Sequence, residues 1–131
     1  MPTLELSNGK TILGTTTDNV AIVNCLECSP TGGRVLDVQG YRLPHIYAGH
    51  IIIKATTGTR DYKPMPVNSE GTAYEALPSD HEVVGVLYSS ISTRQPSATI
   101  MVRGSVNRVA SPYPVTAEIE QALPLIIFTE D

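Results

Sequence analysis

Residues 82–107, EVVGVLYSSISTRQPSATIMVRGSVN, constrain the fold more than any other stretch of this chain. Two apolar, β-branched runs, 83–91 and 98–106, flank Thr93, Arg94, Gln95, Pro96 and Ser97, a pattern that predicts two strands joined by a polar turn. Gly85 and Gly104 interrupt the runs where a strand interior normally carries a side chain, so each marks a bulge, a bend or a close backbone approach. Curved sheets and small barrels use such positions.

A chain of 131 residues suits one domain, and at that size about two-thirds of the unfolded surface is buried on folding, so neither a disulfide nor a metal is needed for stability. Aromatic residues make up only 5%, with no Trp and one Phe, which leaves the core to Val, Ile and Leu. Ten Gly and ten Pro spread along the chain favour short strands and turns over long helices. The expected fold is mostly β: a compact small barrel or sandwich with one short C-terminal helix and an N-terminal hairpin or arm. The expected division is an arm over residues 1–19 and a single β-rich domain over 20–131.

Asn8-Gly9 between residues 3–6 and 10–13 is a hairpin signal, because both turn positions favour positive φ. A strand is expected at 20–25, turns at 29–33, and a short strand at 34–38. Pro44 and Gly49 precede a run with three consecutive isoleucines, Ile51, Ile52 and Ile53, which should be buried. A short strand at 61–65 should end at Met65-Pro66, with a polar loop at 68–72. Thr116 caps an expected helix over 116–123, Glu118 and Glu120 suit the positive end of its dipole, and Pro124 stops it; a last strand covers 125–129.

The formal charge of −4 arises from 13 acidic and 9 basic residues without a Lys/Arg cluster, which removes the electrostatic basis for nucleic-acid binding. No apolar run approaches the length needed to cross a bilayer, and the first residues lack the pattern of a secretory leader, so a soluble protein made in a cytoplasm, with no membrane partner, is expected.

Cys25 and Cys28 form a CxxC, and His45 and His50 follow at a spacing that loosely imitates a Cys₂His₂ zinc site. The second spacer is longer than in a finger, and the histidines flank Pro44 and Gly49 instead of lying on a helix; the alternative is two reduced, partly buried thiols and two ordinary loop histidines. A redox CxxC would open a helix in a βαβ unit, whereas here a strand runs into Pro30 and Gly32-Gly33. Cys25, His81 and Asp80 make a hydrolase set on paper only, with no local signature such as GxSxG. Glu118 and Glu120 fall on different helix faces and so do not pair as general acid and base. No catalytic activity and no cofactor are expected. The six tyrosines, at 41, 47, 62, 74, 88 and 113, either line a carbohydrate-binding surface or serve as large core and interface residues with a wet hydroxyl.

From residue 49 onward an ordered set of short motifs stands out: Ala48-Gly49-His50-Ile51-Ile52, Tyr62-Lys63-Pro64-Met65-Pro66-Val67, Tyr74-Glu75-Ala76-Leu77-Pro78 and Val84-Gly85-Val86-Leu87. Met101-Val102-Arg103-Gly104-Ser105-Val106-Asn107 and Ala122-Leu123-Pro124-Leu125-Ile126-Ile127-Phe128 complete it. In this order the motifs resemble the head fibre and head decoration proteins of tailed bacteriophages, over roughly two-thirds of the chain, from 41 to 128; the first forty residues have no counterpart. The resemblance implies a virion protein on the capsid exterior, a homotrimer that binds the major capsid protein and stabilises the shell or presents a surface outward. Gly49, Gly85 and Gly104 would then be structural glycines. Leu4, Leu6, Ile12 and Leu13, in an apolar-alternating arm, would contact the capsid by adding a strand to a free edge. The alternative is a carbohydrate-binding or adhesive β-module whose partner is a host-surface glycan.

Overall fold

A computed structural model describes residues 21–28 and 33–130, so the expected N-terminal hairpin, with Leu4, Leu6, Ile12 and Leu13, lies outside the described residues. The elements are β1 (Ile22–Cys28), β2 (Arg34–Val35), β3 (His45–Ile46), β4 (Ile51–Ala55), β5 (Tyr62–Pro64), β6 (His81–Leu87), β7 (Ile91–Ser92), β8 (Ser97–Ala98), β9 (Ile100–Asn107), α1 (Ala117–Ala122) and β10 (Ile126–Thr129). The principal sheet runs β1-β9-β6-β4-β5, with β10 added in parallel to β9. It stays open, with β1 and β5 as edges, and so is not the barrel that was one of the two expected architectures; the sandwich-like alternative describes it.

Both faces of the sheet are covered, which explains the unbroken isoleucine run in β4. Ile51 and Ile53 point to one face and join Val86, Met101, Val106, Phe128 and the helix residues Ile119 and Leu123. Ile52 points to the other and joins Leu36, Ile46, Leu87, Ile91, Ala98 and Ile100. A strand with apolar neighbours on both faces loses the apolar–polar alternation of a half-exposed one. Each such isoleucine contributes about 1.5–3 kcal/mol of burial free energy.

The layer over Ile52 comes from the segment expected to be a simple turn. β6 and β9 do pair antiparallel, but only at Val86–Met101 and Leu87–Ile100. Between them the chain leaves the sheet and forms β7, which pairs with β3, and β8, which pairs with β2. Ile91 and Ala98 were expected to extend the strands; they cover the sheet instead, because apolar spacing does not distinguish a longer strand from a second layer.

Gly85 and Gly104 sit where backbones crowd. Gly85 pairs with Ile52 next to a register shift, and a Cβ there would lie 2.6 Å from both the Met101 carbonyl oxygen and Ile100 Cγ2. Gly104, at φ +154°, faces Cys25 on one side and Ile126 on the other; a Cβ there would run into the Asn24 carbonyl. Gly104 also marks a hand-over. Along one flank β9 pairs with β1, and along the other it pairs first with β6 at residues 100–101 and then with β10 at 104–107.

The helix forms as expected from its ends. The Thr116 hydroxyl accepts the Ile119 N–H at 3.3 Å, and Arg108 Nη2 donates to Glu120 Oε1 at 2.8 Å, tying α1 to the end of β9.

Candidate functional site

His50 is the one histidine sealed in the core, and the chain holds it by backbone and side chain together. The Gly49 N–H donates to the Leu87 carbonyl at 2.9 Å and the Leu87 N–H to the His50 carbonyl at 2.8 Å, so the start of β4 is fixed to the end of β6. Gly49 takes φ +95° to make this turn, where a side chain would be strained and would press on Pro112. His50 Nε2 lies 3.0 Å from the Met65 carbonyl, which only accepts, so Nε2 carries the proton. The rings of Tyr41, Tyr74 and Tyr113 surround the imidazole at 5.8, 5.2 and 5.6 Å, all close to perpendicular. His50 Nδ1 has no hydrogen-bond partner. Burial, partly offset by the Met65 carbonyl, pushes the His50 pKa down to about 4, so the ring is neutral at ordinary pH.

The same cluster sets the tyrosines. Tyr74 accepts the Ile51 N–H at 3.0 Å, and burial raises its phenol well above the usual range. Burial, then the neighbouring Tyr113 phenol, raises Tyr41 likewise. These three tyrosines are structural, and Tyr62 lies between Arg34 and Lys54, whose charged heads sit 5.4 and 5.3 Å from its ring centre. Only Tyr47 and Tyr88 are exposed in the way a binding platform requires.

A cleft of about 670 Å³ opens beside Tyr41. One lip is residues 37–43, the other 66–71, and Lys63 and Pro64 of β5 line it between them. Its lips are tied: Arg42 Nη2 donates to the Asn68 carbonyl at 3.3 Å, the Asp37 N–H to the Tyr62 carbonyl at 2.8 Å, and the Glu75 N–H to the Pro66 carbonyl at 2.8 Å. Asn68 also closes its own turn by accepting the Thr72 N–H on Oδ1 at 2.9 Å.

A second candidate surface is the rim formed by β1, the near half of β9 and β10. β1 carries register shifts between Ile22 and Asn24 and between Cys25 and Glu27, and these bulges turn Val23 and Leu26 outward. Ile127 and Asn24 both pair with Ser105 and so share the outer face. Leu26 on β1, Ile127 on β10 and Leu125 just before β10 are 66%, 64% and 60% exposed, and among the described residues β1 has no strand partner on its outer side.

The remaining sequence candidates separate. Cys25 and Cys28 are joined by a disulfide, which corrects the expectation of two reduced thiols. On a regular strand residues three apart face opposite ways; the bulge between them turns both toward the core, where they pack on the cluster that holds Ile51. His45 lies on β3 against the Tyr47 ring, 6.3 Å away, and His50 is enclosed by tyrosines, so the imitated zinc set does not assemble. Among the described residues no group of three or more His, Cys, Asp or Glu is placed to hold a metal ion. His81 Nδ1 bonds to the Ser79 carbonyl at 2.7 Å, and Cys25, being bonded, offers it no thiol. The cleft residues carry no sequence signal, because they reach one another only through strand pairing.

No protein-family model matches the chain, and neither do curated proteins or solved structures.

Proposed function

We propose that this protein is a non-enzymatic component of the exterior of a tailed-phage capsid, a decoration or head fibre protein that docks on the major capsid protein and assembles as a homotrimer. The observation that carries it is the β1–β10 rim: Leu26, Leu125 and Ile127 stand exposed, and β1 has no strand partner on its outer side among the described residues. Such a surface suits attachment to another protein by edge addition and apolar contact. The ordered motifs supply the kind of partner. Gly85 and Gly104 serve this role by allowing the close-packed sheet that a rigid attachment needs.

Co-sedimentation with undecorated capsids tests it. Removal of residues 1–19 should abolish binding, and the paired substitution Leu26→Glu with Ile127→Glu, at exposed sites, should weaken it at least tenfold while the fold is kept. Undiminished binding in both would end the proposal. Light scattering should give three times the 14.1 kDa chain mass.

A further inference from the structure

We propose that the cleft between residues 37–43 and 66–71 binds a neutral oligosaccharide. It is independent of capsid attachment, since the rim and the cleft share no residue.

The volume of about 670 Å³ falls within the range of roughly 300–1,000 Å³ of small-molecule sites. Its chemistry is interleaved. Lys63 and Arg42 line the same space as Asp37, Glu70 and Glu75. An anion would meet three carboxylates there, and a polycation would meet two cations. A neutral polyol avoids both conflicts, because each hydroxyl donates to a carboxylate and accepts from an ammonium or guanidinium group. Leu43, Pro66 and Val67 line the same space and supply apolar surface of the kind that the C–H faces of a pyranose cover. The site is also preorganised. The cross-ties from Arg42, Asp37 and Glu75 use a guanidinium group or main-chain N–H groups, and among the described residues the Lys63 amine and the Glu70 and Glu75 carboxylates have no hydrogen-bond or ion-pair partner. Tyr41 is anchored from below by His50 and Tyr113, so little ordering is required on binding.

The full chain, labelled with nitrogen-15, should be titrated with maltotriose, cellotriose and chitotriose, with trilysine and inorganic phosphate as charged counter-probes. At least one trisaccharide should give saturable shifts centred on the Lys63 and Glu75 amides. Glu75→Gln and Lys63→Ala, both on the surface of the fold, should each weaken it at least tenfold, and Glu118→Gln on α1 should leave it unchanged. The proposal is overturned if no trisaccharide saturates at millimolar concentration, if trilysine or phosphate binds more tightly, or if both cleft variants keep the parent affinity. Capsid binding by the same variants should stay at the parent level, which separates this outcome from failure at the rim.

Discussion

β4 and β1 read alike as apolar strands in the sequence, yet they do opposite things. β4 is paired on both sides, by β5 and β6, and its three isoleucines are sealed from solvent. Among the described residues β1 pairs with β9 alone, carries three register shifts, and turns Val23 and Leu26 outward. The number of strand neighbours, more than apolar content, decides whether a hydrophobic side chain supports the fold or remains available to a partner. The central strands therefore carry the stability, and in the capsid-docking proposal the rim carries the contacts.

The severest way to break that division is to crowd the centre. Gly85→Val places a side chain against the Met101 carbonyl and Ile100 and should remove at least about 4 kcal/mol, seen as insoluble expression or loss of the urea transition. A soluble variant with the parent midpoint would mean that the sheet adapts there. Next, Ile52→Ala should cost about 4 kcal/mol by urea denaturation, since its site is enclosed by both small ribbons.

A third test uses pH. In the folded chain His50 stays neutral down to about 4, whereas in the unfolded chain it protonates near 6.5. Between those values the unfolded state holds the extra proton, so stability rises with pH through this window and is lost as pH falls from 6.5 towards 4. The loss amounts to roughly 3 kcal/mol. His50→Gln should flatten the difference between unfolding curves at pH 7 and pH 4.5; an unchanged slope would assign the pH dependence to other groups. The smallest effect belongs to the rim. Leu26→Gln should shift stability by no more than about 0.5 kcal/mol, and a loss matching that of Ile52→Ala would erase the distinction between the two strands.

What the sequence discloses follows the same division. The isoleucine run, the Thr116 cap and the closing strand are legible because each carries a local signal, an apolar β-branched run or a capping hydroxyl three residues before the N–H it accepts. The ribbons β2–β8 and β3–β7 are not, since Ile91 and Ala98 carry the same apolar signal whether they extend a strand or cover a sheet. The disulfide escapes notice because a bulge, and not spacing, turns Cys25 and Cys28 to one side. The cleft escapes for a related reason: Asp37, Lys63 and Glu75 become neighbours only after Asp37 docks on Tyr62 and Glu75 on Pro66. The tyrosines show the limit of composition, for three of the six enclose a histidine instead of lining a surface.

The forked pairing of β9 bears on how the chain is made. Ile22 meets Val106 on one flank and Thr129 meets Asn107 beside it, so the earliest and the latest strands of the sheet close on the same end of β9. During vectorial synthesis residues 104–107 of β9 therefore wait bare on one flank until Ile126–Thr129 have emerged, so this end of the sheet is completed only after the isoleucine core has been made.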